Sequence, residues 1–298
     1  MFTRLTSENM HLLTPFYKAH HPSICDNTAG AVYQWRNAYV TYFSISGGML
    51  CIRASYGADG DCYTFPIGDG DIGAALEHCQ NEANERGDEF KFCVTPIEGL
   101  NVLNDIYGER VLAQNRREWA DYLYDAEGFL SYSGKQYHTQ RNHVNRFFRE
   151  YPQVERRPVT KALEGACFDF LCRYAAEHDD MNDIEKNELI GAKELLIHRE
   201  ALGQSALCLT LDDEVIALSI GERRFDTLYV HVEKARMDIA GAYPAMAQAF
   251  VQAHEGVKFV NREDDAGDEG LRYSKLNYRP IALIDKYFVK IQPSSLSK

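Results

Sequence analysis

Apolar and polar positions alternate most clearly in the second half of the chain. Residues 206–211, 215–222 and 228–233 are short β-rich runs, the first two separated by Asp212-Asp213-Glu214. Runs joined by polar turns this short predict an antiparallel meander. On strict alternation Tyr229, His231 and Glu233 share one face of the third strand, and Val230, Val232 and Lys234 the other. Gly241 and Pro244 then open a helix reaching Gln252, and Val257-Lys258-Phe259-Val260 is apolar and short, as a buried strand is. A short helix over 271–278, closed by Pro280, and a last strand over 281–289 complete the half.

The first half mixes the same two periods. Residues 40–45 and 49–53 flank Gly47-Gly48 and predict a hairpin, with 63–66 as a third strand whose Pro66 sits at an edge. Ile72, Leu76, Cys79 and Ala83 recur at helical spacing until Gly87. A strand over 90–94, a short helix over 100–107 and an aromatic strand over 119–124 follow. Helices over 163–177 and 185–202 precede the meander. The predicted class is α+β, a mixed and mostly antiparallel fold in two domains, residues 1–150 and 151–298, with the break near a linking helix at 134–151.

That linking helix is polar on one side only. At 100° per residue Lys135, His138, Arg141, Asn142, Asn145 and Arg149 form one stripe, while Tyr137, Val144, Phe147, Phe148 and Tyr151 fall on another. The stripe holds no carboxylate, in a chain with 44 acidic residues against 32 basic ones. A phosphate-bearing ligand suits it; a solvated helix face is the alternative. The net charge of −12 excludes a protein that coats nucleic acid with its whole surface, but leaves room for such a local stripe. Eight scattered cysteines without a Cys-x-x-Cys point to reduced thiols in a cytoplasmic protein rather than to zinc or disulfides. No metal site is expected, and no stretch approaches the roughly 20 apolar residues of a membrane span.

The densest chemistry lies where the strand at 257–260 gives out, in Asn261-Arg262-Glu263-Asp264-Asp265. Strand carboxyl ends in open α/β sheets are favoured ligand sites, although five polar residues in a row also suit a solvated loop. This loop, with His231-Val232-Glu233-Lys234-Ala235, Gly241-Ala242-Tyr243, Gly270-Leu271-Arg272, Lys275 and Tyr278-x-Pro280, resembles the C-terminal catalytic domain of phosphatidylglycerol lysyltransferases. Tyr124, Gly134-Lys135, His138, Arg141-Asn142 and Asn145-Arg146-Phe147 are similar to the same family, and the resemblance spans residues 31–289.

The resemblance implies tandem GNAT-like (acyl-CoA N-acyltransferase) domains, the architecture of Fem-type peptidyltransferases. It further implies transfer of an aminoacyl group from aminoacyl-tRNA to an amine or hydroxyl, with no cofactor required. The acceptor is left open among a small molecule, a peptide and a lipid headgroup; the lack of a membrane-spanning portion argues against the lipid. Two alternatives stand beside this reading: a coenzyme A-dependent N-acetyltransferase and a non-catalytic binding module. Coenzyme A is weakened by the loop Arg236-Met237-Asp238-Ile239-Ala240-Gly241, where Ile239 replaces the glycine a pyrophosphate needs. Transfer from an ester calls for a carboxylate to hold the amine, donors for the oxyanion and a base. Glu233, Glu263 and Asp264 supply carboxylates, and Arg262 and His231 polarise the carbonyl. Arg272 and Lys275, with Lys135, His138 and Arg141, would take phosphates, while Tyr124, Asn142, Asn145 and Asn261 complete the substrate-binding set.

Overall fold

A computed structural model describes residues 1–178 and 181–293. In chain order the described residues form β1 (Thr3–Arg4), α1 (Thr14–Ala19), α2 (Ala29–Trp35), β2 (Tyr42–Ser46), β3 (Met49–Ser55), β4 (Asp61–Tyr63), α3 (Ile72–Arg86), β5 (Lys91–Thr95), α4 (Ile97–Tyr107), β6 (Val111–Asn115) and β7 (Asp121–Asp125). They continue with α5 (Ala126–Ser131), α6 (His138–Glu150), β8 (Glu155–Pro158), α7 (Lys161–Glu177), α8 (Asp183–His198), β9 (Ser205–Leu211), β10 (Glu214–Arg224), β11 (Thr227–Ala235), α9 (Ala242–Gln252), β12 (Phe259–Asn261), α10 (Glu269–Asn277), β13 (Ala282–Ile284) and β14 (Tyr287–Ile291). Two seven-stranded sheets result, ordered β1-β2-β3-β4-β5-β14-β6 and β13-β7-β12-β11-β10-β9-β8.

Both sheets are mixed and flanked by helices, the GNAT-like α+β architecture. In the first, β4 runs parallel to β5 and the other pairs are antiparallel. In the second, the β9-β10-β11 meander is antiparallel, and α9 carries the chain over to β12, which pairs parallel to β11. A parallel neighbour requires such a crossover, and α9 is nearly all buried because it lies across the sheet. Its Ala245, Met246, Ala249 and Phe250 share a core with Leu228, Val230 and Val260 of the strands. Full burial of side chains of the Phe or Met kind stabilises by about 1.5–3 kcal/mol each.

The units do not divide at residue 150. One unit comprises Met1–Asp121, Asp264–Asp268 and the segment beginning at Ile284; the other comprises Tyr122–Glu263 and Glu269–Leu283. Helix α6 therefore lies inside the second unit, held by Val144 and Phe147 in the same core as α9. The single last strand expected over 281–289 is two strands. β13 ends the second sheet beside β7, and β14 is inserted between β5 and β6 of the first. The interruption falls at Asp285-Lys286, where Lys286 turns into a buried ionic cluster within the first unit.

Alternation along β11 also fails, for a specific reason. Ile220 pairs with Val232 but Gly221 with Val230, so His231 is the extra residue of a β-bulge. Gly221 permits it, since a Cβ there would lie 2.1 Å from the Tyr229 carbonyl oxygen. Leu228 and Val230 before the bulge, and Ala235 after it, face one core. Tyr229 and Glu233 consequently lie on opposite faces, correcting the shared face expected from period 2.

Candidate functional site

The polar loop grows from the end of β12 in the second unit. Asn261 is fully buried, and its Oδ1 accepts the backbone N–H of Glu263 at 2.8 Å. That local turn accommodates a φ of +58° at Glu263, an unusual conformation for a residue with a side chain. The loop is fixed to β7 on both sides: Arg262 N–H donates to the Tyr122 carbonyl at 3.1 Å, and Tyr122 N–H to the Glu263 carbonyl at 3.0 Å. Strain stored at a rigidly held carboxylate is a pattern that recurs at functional sites.

Glu263 and the bulged His231 meet here. His231 Nδ1 lies 2.7 Å from Glu263 Oε1, and Nε2 lies 3.3 Å from Glu222 Oε1 on β10. Gln204 Nε2 donates to the same Glu222 oxygen at 2.9 Å. Burial of the ring favours neutral imidazole, but the hydrogen bonds to Glu222 and Glu263 outweigh it and raise the His231 pKa to about 9. An imidazolium between two carboxylates donates protons in hydrogen bonds and does not accept one at neutral pH.

A second ion pair adjoins the first in sequence. Arg262 Nη2 donates to Glu233 Oε1 at 2.6 Å, with the guanidinium 4.7 Å from the Tyr278 ring centroid and 5.8 Å from that of Phe129. Burial opposes the charge; Glu233 chiefly restores it and leaves the guanidinium more basic than an ordinary arginine. Its Nη1 is buried without a hydrogen-bond partner among the described residues. Such an unmet donor costs on the order of 1–3 kcal/mol and is a ready partner for a carbonyl or oxyanion.

Other expected site residues are placed differently. Lys275 is buried, and its Nζ donates to the Arg262 carbonyl at 2.6 Å while its own carbonyl accepts from the buried Tyr124 hydroxyl at 2.9 Å. Lys275 thus braces the loop rather than standing open to a phosphate, and Tyr124 ties β7 to α10. Arg272, on the same helix, is half-buried. Asp264 groups with the first unit, where its Oδ2 lies 3.6 Å from Lys286 Nζ. Lys135, just before α6, and His138, Asn142, Asn145 and Arg149 on it are exposed, and Asn142 touches His138 at 3.3 Å. Arg141 instead donates to the carbonyls of Tyr132 (2.6 Å) and Gly134 (3.0 Å), closing the turn before its own helix. His231 thus bonds Glu263, and Lys275 bonds the preceding residue Arg262, while Arg141 takes part in neither contact.

Sequence reasoning missed Glu222 and Gln204. Glu222 is buried within β10 and Gln204 just before β9, and Gly221 beside Glu222 was the available signal for a bulge. It also missed the first unit's cluster, in which Lys286 Nζ lies 2.5 Å from Asp26 and 2.6 Å from Asp121. Cys25, Asp26 and Asp121 have metal-ligand spacing, and an ammonium group already lies among them.

The family described as phosphatidylglycerol lysyltransferase, C-terminal, matches residues 17–290. The chain belongs to that family. Within this phosphatidylglycerol lysyltransferase C-terminal family fold, L-PGS from Bacillus licheniformis superposes with a TM-score of 0.67 at 13% identity, over 98% of this chain and 93% of that one. A conserved protein of unknown function from Bacteroides thetaiotaomicron gives 0.89 at 28% identity, over 98% and 99%. An uncharacterized protein of Mycoplasmoides gallisepticum is 23% identical over 174 residues, 57% of this chain. The match covers 56% of that relative, so the chain spans about half the length of the curated protein it matches. Among the described residues no helix is long and apolar enough to cross a membrane.

Proposed function

We propose that this protein is an aminoacyltransferase that moves an aminoacyl group from the ester of aminoacyl-tRNA to an amine or hydroxyl acceptor. The observation that carries the reading is the pairing of a buried imidazolium–carboxylate, His231–Glu263, with the unmet Nη1 donor of the adjacent Arg262. The acceptor heteroatom attacks the ester carbonyl carbon and gives its proton to Glu263. Arg262 Nη1 stabilises the oxyanion while the imidazolium holds Glu263 in position; the carbonyl–oxygen bond to the ribose then breaks, and the proton passes from Glu263 to the departing hydroxyl. Every atom is accounted for without a covalent enzyme intermediate.

Packing at α9 supports aminoacyl-tRNA over coenzyme A as donor. Gly241 caps α9 at φ +90°, and a Cβ there would meet the His143 carbonyl oxygen at 2.8 Å and Phe147 Cβ at 3.0 Å. The helix N-terminus that could take a pyrophosphate is therefore closely covered by α6, and Pro244 removes one N–H from its first turn. Arg236 is paired with Asp238 at 2.6 Å and with Glu214 at 3.2 Å. The exposed cations of α6 offer phosphate contacts in its place. Filter binding with aminoacyl-tRNA is expected to show affinity falling steeply with salt, while calorimetry with acetyl-CoA shows no binding. Tight coenzyme A binding without tRNA retention would overturn the proposal.

A further inference from the structure

Ser205 and His254 meet in the second unit, at the C-terminal end of α9. Ser205 opens β9, and His254 lies two residues beyond Gln252, in the turn that leads to β12. Ser205 Oγ is 2.6 Å from His254 Nε2 and 3.1 Å from the Gly221 carbonyl oxygen. His254 Nδ1 is 2.7 Å from the Phe250 carbonyl oxygen, and the two rings meet edge to face with centroids 4.7 Å apart. Ser205 and His254 are each half-buried, and Ala253 and Glu255 on either side of the histidine are exposed. The pair is separate from the His231 cluster, because the preceding Gln204 turns its amide to Glu222 while Ser205 turns to His254.

These contacts fix the tautomer. A carbonyl oxygen only accepts, so Nδ1 carries the hydrogen and Nε2 of the neutral ring presents a lone pair. Burial lowers the His254 pKa and keeps the ring neutral; the Phe250 carbonyl opposes this, and the charge of Arg223 adds to it. The Ser205 hydroxyl therefore donates to Nε2, the shorter of its two contacts. A hydroxyl bonded to a neutral imidazole, which a third group orients, has the parts of an activated nucleophile; here the third group is a main-chain carbonyl. Arg223 donates to the carbonyls of Phe225 at 2.8 Å and Glu255 at 2.6 Å. Its guanidinium is thus held on the turn that carries His254, where positive charge favours an anionic tetrahedral intermediate.

We propose that Ser205 and His254 form a second acyl-transfer site, which hydrolyses a small carboxylic ester through an acyl group held on Ser205. Ser205 Oγ attacks the carbonyl carbon and its proton passes to His254 Nε2. The bond to the leaving oxygen breaks, the alcohol departs with that proton, and water repeats the sequence to release the acid and restore the hydroxyl. The site goes beyond the aminoacyl transfer proposed above and is tested without tRNA. The full chain is treated with an alkyl fluorophosphonate, whose fluoride a nucleophilic serine displaces, and the adduct is located by peptide mass spectrometry; p-nitrophenyl acetate then reads ester turnover. Labelling is expected on Ser205, at a rate at least tenfold lower in His254→Gln, and ester turnover should fall at least tenfold in Ser205→Ala, with unchanged circular dichroism. If either variant does not fold, the position of the adduct in the wild-type protein decides. No adduct on Ser205, an equal labelling rate in a folded His254→Gln, or full turnover in a folded Ser205→Ala would overturn the proposal.

Discussion

His231 shows how burial and hydrogen bonding compete at a single residue. Its folded pKa of about 9 lies above the unfolded value near 6.5. The protonated ring therefore contributes stability that is fully present below about pH 6.5 and is lost as pH rises through about 9, on the order of 3 kcal/mol in all. Glu222→Gln removes one of the two supporting carboxylates. Urea denaturation is expected to find the variant less stable than wild type at pH 6, with the gap narrowing above pH 9; a pH-independent gap would mean that Glu222 does not support the charge. Glu263→Gln keeps an acceptor for His231 Nδ1, so its cost to stability should stay near 1 kcal/mol. Transfer should nevertheless fall at least tenfold, because an amide cannot take the acceptor proton. Comparing melting curves with transfer rates checks this, and a variant as active as wild type would remove Glu263 from the chemistry.

At the scale of elements, α9 and α6 carry opposite tests. Gly241→Ala places a methyl group against the α6 backbone and at an unfavourable φ, and should destabilise the fold by about 1–3 kcal/mol in urea melts. Lys135→Glu with Arg149→Glu alters only exposed positions; stability should move by no more than about 0.5 kcal/mol while the salt dependence of tRNA binding flattens. Arg141→Ala should behave unlike these two and lower stability, since it releases the carbonyls of Tyr132 and Gly134. Elements with a clean period were legible in the sequence: α3 is found at Ile72–Arg86, as its spacing implies, and the β9-β10-β11 meander stands where alternation put it. The bulge at His231 was not legible, because one extra residue leaves composition unchanged and only shifts the faces. Lys275 misled for a related reason: polarity in sequence does not distinguish an ammonium that meets a ligand from one that satisfies a buried carbonyl.

For the whole molecule, the polar loop was legible because five polar residues follow an apolar strand, but the division of the chain was not. Long-range pairing decides it: β14 inserts between β5 and β6, and β7 pairs with β12, more than a hundred residues away. Fragments 1–150 and 151–298 made separately should each fail to fold, the first lacking an interior strand of its sheet and the second lacking β7. Circular dichroism and gel filtration of the fragments would reveal the opposite.

The path of the chain has a mechanical meaning as well. Strands β1 and β14, near the two ends of the described chain, both belong to the first sheet. A force applied through handles at those strands loads that sheet first. The residues of the second unit lie in a loop of covalent chain between the two grips, shielded until β14 is extracted. Optical-trap records should accordingly show rupture of the first sheet before any lengthening from β9, β10 and β11, whichever sheet is weaker by itself.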